Sequence, residues 1–327
     1  MKTVKVKEVL ENDYVLVDVR TPKEFEESTI PGAINIPLFS NEERAIVGRL
    51  YTKVGQKEAI EKGYGFVQEK LPKLLEEIKK YKGKKLVIFC WRGGMRSKCF
   101  TMLLENLGFD VMQLEGGHKA YRKHVIEELS KYKIKAKLIV LYGLTGSGKT
   151  KLLKKFKNSL DLEDLAQHRS SLFGDIGLKP RSQKMFESLL LKRLKELKNE
   201  KYIITEGESR KIGNVIIPEN IFKQIHQGIK VKVEASMEQR IKNLVECYSN
   251  KEDHKIIEKI KLLRKRIGNK KTKQLLELFE KKKFEDVARI LLEEYYDPLY
   301  AYTINNQKYS LVIKPEMIRE EQLAILS

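Results

Sequence analysis

Two short segments contain residue types that can do covalent and phosphate chemistry. The first, Cys90-Trp-Arg-Gly-Gly-Met-Arg96, follows the apolar run Leu86–Phe89 and precedes a helical pattern. A cysteine in this context lies at a predicted helix N-terminus, where backbone N–H groups, the helix dipole, Arg92 and Arg96 favour thiolate over thiol. We therefore predict that Cys90 is a nucleophile and that Arg92 and Arg96 assist it.

The second segment, Gly143-Leu-Thr-Gly-Ser-Gly-Lys-Thr150, matches the phosphate-loop pattern G-x4-G-K-[ST] directly after an apolar strand pattern and before a helical one. Backbone N–H groups of such a loop hold a diphosphate, and Lys149 reaches its terminal phosphate. The Thr150 hydroxyl is the expected Mg²⁺ ligand if a metal is used. The predicted diphosphate-binding residues are Gly143, Thr145, Gly146, Ser147, Gly148, Lys149 and Thr150.

A third polar segment follows the predicted strand Tyr202–Thr205 and contains Glu206, Glu208 and Arg210. No aspartate of the usual kind follows this strand to hold a magnesium ion. Glu206 or Glu208 can position a metal or a water, and Arg210 can bind phosphate. A polar turn at a strand end explains the same residues equally well, so both interpretations stay open.

The elements around these segments predict an α/β fold, because short apolar runs alternate with amphipathic stretches. Predicted strands in the first part are Tyr14–Val19, Ala33–Pro37, Leu86–Phe89 and Val111–Leu114, and the predicted helices are Thr21–Glu27, Leu71–Tyr81 and Ser97–Leu107. In the second part we predict the strands Leu138–Tyr142, Tyr202–Thr205 and Ile229–Val233 and a helix over Thr150–Leu160. The pattern over residues 236–294 predicts strongly charged helices.

The length of 327 residues indicates two domains. We place the junction in the charged segment Tyr121–Lys137, which gives a first domain over 1–128 and a second over 129–327. No stretch is apolar enough to span a membrane, and the start lacks the apolar core of a secretory signal. Three scattered cysteines fit a reducing compartment, so we expect a cytoplasmic protein.

Positive charge is concentrated in the second part of the chain. Residues 1–130 hold 23 basic and 19 acidic side chains, whereas the remaining residues hold 42 and 26. The segment Lys261–Lys273 alone has seven basic residues and no acidic one. Such an excess fits a polyanionic partner such as nucleic acid, although a solvated lysine-rich surface explains it too.

The first domain resembles the rhodanese family. Asp18-Val-Arg20, followed by Glu24 and Phe25, is similar to the family segment D-x-R-x-x-x-E-[FY], and Ile30–Pro37 is similar to its I-P-G-A-x-N-I-P run. Five residues separate Cys90 from Arg96, one more than in ordinary sulfurtransferases. This wider loop resembles that of dual-specificity phosphatases and has room for a phosphate-sized group.

The chain as a whole resembles the bacterial tRNA 2-selenouridine synthase family. The resemblance depends on the cysteine and phosphate loops and on four further segments. These are Asn41–Gly63, Asp161–Gly174, Glu206–Gly213 and Tyr296-Asp-Pro-Leu-Tyr300. One departure is Gly207, where we expect an acidic residue.

The resemblance implies that the sulfur of 2-thiouridine at tRNA position 34 is replaced by selenium from selenophosphate, through an S-geranyl intermediate formed from geranyl diphosphate. The phosphate loop would then hold the geranyl donor. Cys90 would act in the selenium step, either by carrying selenium or by helping to displace the geranylthio group. The predicted substrate contacts are His168, Arg169, Glu206, Glu208 and Arg210, and the predicted contacts with the tRNA anticodon arm are Arg264, Lys265, Arg266, Lys270, Lys271 and Lys273.

Two rival functions fit the residues without the resemblance. One is a sulfurtransferase or phosphatase joined to an ATP-dependent kinase-like domain, which ATP turnover would reveal. The other is a regulator that binds RNA without catalysis, against which the intact Cys90, Arg96, Lys149 and Thr150 argue.

Overall fold

The computed structural model describes residues 1–248 and 252–315. The chain forms two compact units. The first comprises Met1–Glu128 together with Glu187–Leu189, and the second contains the rest of the chain. None of the helices in the described part is long and apolar enough to cross a membrane.

The first unit alternates strands and helices, as the α/β prediction requires. Its strands are β1 (Lys2–Val4), β2 (Val15–Asp18), β3 (Ile34–Asn35), β4 (Leu86–Phe89) and β5 (Val111–Leu114). Its helices are α1 (Val6–Glu11), α2 (Pro22–Glu27), α3 (Asn41–Lys53), α4 (Gln56–Lys79) and α5 (Met95–Asn106), and α6 (Gly117–Lys131) runs across the boundary after Glu128.

All strands of the first sheet are parallel, in the order β1-β5-β4-β2-β3. The central strand β4 is buried at every residue, which explains its continuous apolar sequence. Helices cover the sheet, and the core includes Ile88, Phe100 and Leu104. The carboxyl end of β4 is followed directly by Cys90.

The second unit contains a second parallel sheet, in the order β12-β11-β6-β8-β7. Its strands are β6 (Lys137–Tyr142), β7 (Ser159–Leu160), β8 (Tyr202–Glu206), β11 (Ile229–Val233) and β12 (Leu311–Ile313), and β9 (Lys211–Ile212) and β10 (Val215–Ile216) form a separate hairpin. The helices that alternate with these strands are α7 (Lys149–Leu153), α8 (Leu162–Ala166), α9 (Gln183–Glu196) and α10 (Glu219–His226).

A helical layer follows β11 and confirms the helical interpretation of residues 236–294 for 237–248 and 253–294, while residues 249–251 lie outside the described part of the chain. It contains α11 (Met237–Tyr248), α12 (Asp253–Leu262), α13 (Arg264–Glu280), α14 (Phe284–Leu291), a π-helical turn (Leu292–Tyr296) and α15 (Asp297–Asn305). Gly268 has φ 80° and kinks α13 within the basic segment. An apolar core that includes Ile260, Leu275 and Leu292 holds this layer together.

Two element predictions were wrong in extent. The helix predicted over Thr150–Leu160 ends at Leu153, and the chain then forms the edge strand β7. Asn158 explains the change, because its side chain donates to the Tyr202 carbonyl and its own carbonyl accepts from Ile204 N. These bonds hold the chain against β8 in place of a further helical turn.

The other error concerns helix length, because the helix predicted over Leu71–Tyr81 begins at Gln56. The charged segment Tyr121–Lys137, for which no helix or strand was predicted, is helical as far as Lys131. Tyr121, Val125 and Leu129 are buried at a spacing of four residues, so α6 has a narrow apolar stripe that the surrounding charges conceal.

Candidate functional site

The cysteine loop lies between the end of β4 and the start of α5. Cys90 is 3% exposed, and its carbonyl accepts a hydrogen bond from the His118 backbone N–H at 2.9 Å. Gly93 has φ +67°, and a Cβ there would lie 3.1 Å from the Leu114 carbonyl oxygen. The loop can therefore fold this tightly only with glycine at position 93.

The Cys90 sulfur is held in surroundings that favour its charged form. Ser97 Oγ lies 3.2 Å from Cys90 Sγ and donates to it. Burial of the thiol raises its pKa. Hydrogen bonds from the Ser97 side chain and backbone, the charge of Arg96 and the Arg92 backbone N–H outweigh burial, so that the pKa of Cys90 lies below its usual value. A larger thiolate fraction near neutral pH makes the sulfur a better nucleophile.

The two arginines of the loop differ in position. Arg96 is largely buried and donates from Nη1 to Glu24 Oε2 at 2.9 Å. The Arg92 side chain is exposed. Arg92 lowers the pKa of Cys90 through a hydrogen bond from its backbone N–H. Arg92 therefore has its guanidinium available for an anionic group outside the loop.

The residues that resemble the rhodanese segment form a buried network beside the loop. Arg20 donates from Nε and Nη2 to the Asp18 carboxylate and from Nη2 to the Ser28 carbonyl. Thr29 Oγ1 donates to Asp18 Oδ2 at 2.8 Å. The His118 ring lies within hydrogen-bond distance of Arg20 and Ser28. This network positions the start of α6, whose His118 N–H binds the Cys90 carbonyl.

The phosphate loop follows β6 in the second unit. Gly146 and Gly148 have φ +80° and +94°, a region that glycine favours. Lys149 Nζ donates to the Gly143 carbonyl at 2.7 Å across the loop. Ser147 is buried, and no hydrogen-bond partner of its hydroxyl lies among the described residues. The loop thus has the compact shape that phosphate binding requires.

Carboxylates gather beside Thr150. The register of β6 and β8 pairs Leu141 with Glu206, and Glu206 Oε1 accepts from Thr150 Oγ1 at 3.1 Å. Oxygen atoms of Glu163, Glu206 and Glu208 lie within 4.8 Å of one another. Burial, and then repulsion from neighbouring carboxylates, raises the pKa of Glu206 well above its usual value and that of Glu163 to about 8. This arrangement suits a divalent cation, whose charge would offset the repulsion.

Packing against a neighbouring ring explains why position 207 is a glycine. A Cβ at this position would lie 2.3 Å from the Tyr142 ring, so the chain can pass this ring only without a side chain. The acidic residue that the resemblance led us to expect here is absent, and Glu163 on α8 joins Glu206 and Glu208 instead. Glu163 was not among the predicted site residues, although it lies within the Asp161–Gly174 segment on which the resemblance depends.

A buried ion pair holds the phosphate loop against the helical layer. Arg240 on α11 donates from Nε to the Thr145 carbonyl at 2.8 Å, and its other guanidinium nitrogens bind Asp297 on α15. Asn243 donates to the Gly146 carbonyl at 2.8 Å. Two residues of the Tyr296–Tyr300 segment therefore have structural roles. Tyr296 is buried in the core, and Asp297 forms the ion pair with Arg240.

We expect Asp297→Asn to destabilise the second unit. Arg240 is 4% exposed, and removing its counter-charge leaves a buried guanidinium unpaired, which costs about 3 kcal/mol. Thermal unfolding followed by circular dichroism measures the loss. Glu246→Gln is the matched control, because it breaks the exposed Lys151–Glu246 pair and is expected to change little. Equal midpoints for the two variants would contradict the anchoring role of Asp297.

The remaining predicted substrate contacts do not all join the carboxylates. The His168 ring packs against Gly174 and Gly213, and burial lowers its pKa. Arg169 donates to the Ile176 carbonyl at 2.9 Å, and its guanidinium lies 5.4 Å from the centre of the Tyr248 ring. Arg210 is exposed and lies 3.9 Å from Glu219. A contact of His168, Arg169 or Arg210 with substrate stays a prediction.

The predicted tRNA contacts lie on α13. Five of them are exposed, and Lys271 is half-buried and paired with Glu294 on the π-helical turn. Lys273 lies 3.9 Å from Glu277. The exposed ones on both sides of the kink at Gly268 are Arg264, Lys265, Arg266, Lys270 and Lys273.

Two family models match the chain. Residues 3–124 match the rhodanese-like domain. Residues 136–320 match the tRNA 2-selenouridine synthase AAA domain. The second match covers more than half of the chain.

Curated relatives match along most of the chain, and each is named tRNA 2-selenouridine synthase. A relative from Sulfurovum sp. (strain NBC37-1) is 31% identical, over 93% of this chain and 92% of its own length. One from Hydrogenovibrio crunogenus is 33% identical, over 90% of both. One from Nitrosomonas europaea is 36% identical, over 72% of this chain and 64% of its own length, so here the chain spans just under two thirds of the relative. The chain belongs to the tRNA 2-selenouridine synthase family.

Proposed function

We propose that this protein replaces the sulfur of 2-thiouridine at tRNA position 34 with selenium, with selenophosphate as the selenium donor and an S-geranyl intermediate formed from geranyl diphosphate. The observation that carries the proposal is membership of the synthase family along both parts of the chain. The thiolate loop and the phosphate loop then belong to one reaction sequence.

The phosphate loop suits the first step, geranyl transfer. The thiocarbonyl sulfur of the base attacks the first carbon of the geranyl group, the carbon–oxygen bond breaks, and diphosphate leaves as the base loses its N3 proton. Lys149 and the loop N–H groups bind the negative charge that grows on the departing diphosphate. The product has a geranylthio group at C2, which is a better leaving group than the thiocarbonyl sulfur.

A magnesium ion fits beside this loop. Thr150 and Glu206 lie within hydrogen-bond distance of each other, and Glu163 and Glu208 add oxygen ligands of the kind that a hard cation prefers. These four residues would hold the ion, which would neutralise charge on the diphosphate. The charge of Lys149 lowers the pKa of Glu163 and Glu206 and so partly offsets the effects of burial and of the neighbouring carboxylates.

An apolar pocket in the helical layer supports a prenyl donor. Its walls include Phe173, Leu244, Tyr248 and Phe284. Burial raises the pKa of Tyr248 to about 12, as expected for a phenol in an apolar wall. A pocket wall of this kind suits the apolar chain of a prenyl donor.

We place Cys90 in the second step, in which selenium replaces the geranylthio group. The Cys90 thiolate attacks C2, the carbon–sulfur bond to the geranylthio group breaks, and geranylthiol leaves. The selenium of the donor then attacks C2 and displaces Cys90 as thiolate, and water releases the phosphate group of the donor. Arg92 has an exposed guanidinium for the anionic donor. Intact-protein mass spectrometry after incubation with S-geranylated tRNA and no selenophosphate tests whether Cys90 forms a bond to the base.

The exposed face of α13 is the proposed contact for tRNA. We expect replacement of Arg264, Arg266 and Lys270 by alanine to weaken tRNA binding and to reduce the slope of log affinity against log salt by about 2 to 3. Filter binding at several salt concentrations measures both quantities. Replacement of three exposed lysines in the first unit, Lys82, Lys84 and Lys85, removes the same charge and is the matched control. An equal loss of tRNA affinity in both variants would show that only the net charge of the protein matters. That result would contradict a specific tRNA-binding surface on α13.

Nucleoside mass spectrometry tests the proposed function directly. The protein is incubated with 2-thiouridine tRNA, geranyl diphosphate and selenophosphate, and the digested nucleosides are identified. We expect 2-selenouridine in the full reaction and S-geranyl-2-thiouridine when selenophosphate is omitted. An unchanged nucleoside together with steady ATP hydrolysis would overturn the proposal in favour of a sulfurtransferase or phosphatase joined to a kinase.

A further inference from the structure

A buried glutamine lies beneath the cysteine loop without a role in the chemistry described so far. Gln113 is on β5, next to the central strand β4, and is 5% exposed. Its Nε2 donates to the Gly93 carbonyl at 2.8 Å and to Ser97 Oγ at 2.8 Å. Gln113 therefore touches the loop and the hydroxyl that binds the Cys90 sulfur, but not the sulfur itself.

The orientation of this amide follows from its partners. A backbone carbonyl only accepts hydrogen bonds, so the Gln113 atom that faces the Gly93 carbonyl is the nitrogen and not the oxygen. The same nitrogen faces Ser97 Oγ, so Ser97 must accept there. One amide hydrogen is directed to each partner, and the donor capacity of Gln113 is filled.

This arrangement decides where the Ser97 hydrogen goes. A serine hydroxyl has a single hydrogen, and Gln113 cannot accept it through its nitrogen. The remaining acceptors are Cys90 Sγ at 3.2 Å and the Gly94 carbonyl at 3.3 Å. When the sulfur is charged it is the stronger acceptor, because hydrogen bonds to an ion exceed those between neutral groups.

The second bond of Gln113 acts on the backbone of the loop. In a trans peptide the carbonyl and the following N–H point in opposite directions. The bond that holds the Gly93 carbonyl toward β5 thus turns the Gly94 N–H away from β5. Gly93 has φ +67°, so this peptide has a conformation that few residues would hold without such support.

We propose that Gln113 is a positioning residue for the nucleophile, which directs the Ser97 hydroxyl onto the Cys90 sulfur and fixes the peptide between Gly93 and Gly94. The role depends on the proposed function only in that Cys90 is the reacting sulfur. Gln113 is neutral and contacts no reacting atom, so its influence passes through Ser97 and through the loop.

Charged groups around the sulfur come from several elements and stay in place in the test. Arg96 is on α5 and is paired with Glu24 on α2. The His118 ring on α6 lies near Trp91 and within hydrogen-bond distance of Arg20. Gln113 and Ser97 carry no charge. Neutral substitutions that remove their hydrogen bonds therefore test those bonds and leave the electrostatic field of the charged groups at the Cys90 sulfur unchanged.

The test is the pH dependence of Cys90 alkylation by iodoacetamide in the full chain, with Cys99 and Cys247 replaced by serine so that Cys90 is the only thiol. Neither tRNA nor a selenium donor is present, so the result is independent of whether the proposed reaction is correct. We expect Gln113→Met to raise the midpoint of alkylation by about one pH unit, which is about a tenfold loss of rate below the midpoint.

A double substitution separates the relay from a packing effect. Ser97→Ala should raise the midpoint, and Gln113→Met should add little more in the Ser97→Ala background, because the relay is already broken. Thr101→Val is the matched control. Thr101 lies one turn further along α5, is fully buried and lacks a hydrogen-bond partner for its hydroxyl among the described residues, so its midpoint should not move.

Gln113→Leu provides a second neutral variant of similar size if the methionine variant does not fold. It removes the same two hydrogen bonds, so it should raise the midpoint about as much as Gln113→Met and add little more in the Ser97→Ala background. The proposal is overturned if Gln113 substitutions leave the midpoint unchanged, or if their effect is the same with and without Ser97.

Discussion

Replacing Cys90 by alanine is expected to abolish 2-selenouridine formation while S-geranyl-2-thiouridine still accumulates. The substitution removes the sulfur on which Ser97, Arg96 and the loop N–H groups converge. Loss of an activated nucleophile lowers turnover by at least about a thousandfold. Mass spectrometry of nucleosides from the complete reaction, followed over time, measures both products.

Cys99→Ser is the control for this experiment. Cys99 is half-buried on α5, and its sulfur lies 3.7 Å from the Tyr64 hydroxyl. Its replacement also removes one thiol but leaves the loop intact, so selenium incorporation should continue at nearly the original rate. If Cys90→Ala also stops geranylation, Cys90 serves both steps and its assignment to the second step alone is wrong.

The second large effect is expected for Lys149→Ala. Its ammonium is the charge that the phosphate loop directs to a diphosphate, and a single such donor contributes about a hundredfold or more to a reaction in which negative charge develops. We expect weaker binding of geranyl diphosphate, measured by calorimetry, and a matching loss of geranylated nucleoside.

Lys151→Ala is the matched control for Lys149. Lys151 lies two residues further along α7, is 56% exposed and bonds to Asn243 and Glu246. Loss of the same charge at this position should leave donor affinity nearly unchanged. Unchanged affinity in Lys149→Ala would remove the phosphate loop from donor binding. A low pH midpoint of Cys90 alkylation in the same variant would show that the cysteine loop is intact.

The sequence alone predicted the local structure around both loops. The strand Leu86–Phe89 and the loop after it were read correctly, because a fully buried strand needs a continuous apolar run and the glycines that follow allow a tight turn. The same reasoning placed the phosphate loop after Leu138–Tyr142, where β6 ends at Tyr142. In both cases the pattern depends on neighbours in the chain, which the sequence displays directly.

Sequence reasoning failed where a contact joins distant parts of the chain. The helix predicted over Thr150–Leu160 became a short helix and an edge strand, because Asn158 pairs with β8 some forty residues away. The local secondary-structure propensity of residues 150–160 does not indicate that distant partner. Gln113 lies within the predicted strand Val111–Leu114, and no local pattern indicates its contacts with the cysteine loop.

The sequence by itself determined which residues can carry charge, phosphate and a nucleophilic sulfur, since these properties belong to the side chains and to their immediate neighbours. The tertiary structure decided which of them meet. Parallel pairing of β6 with β8 places Glu206 beside Thr150, and α8 adds Glu163. Strand β5 places Gln113 beneath Ser97. Such meetings follow from sheet order and register, which long-range packing sets and no local pattern records.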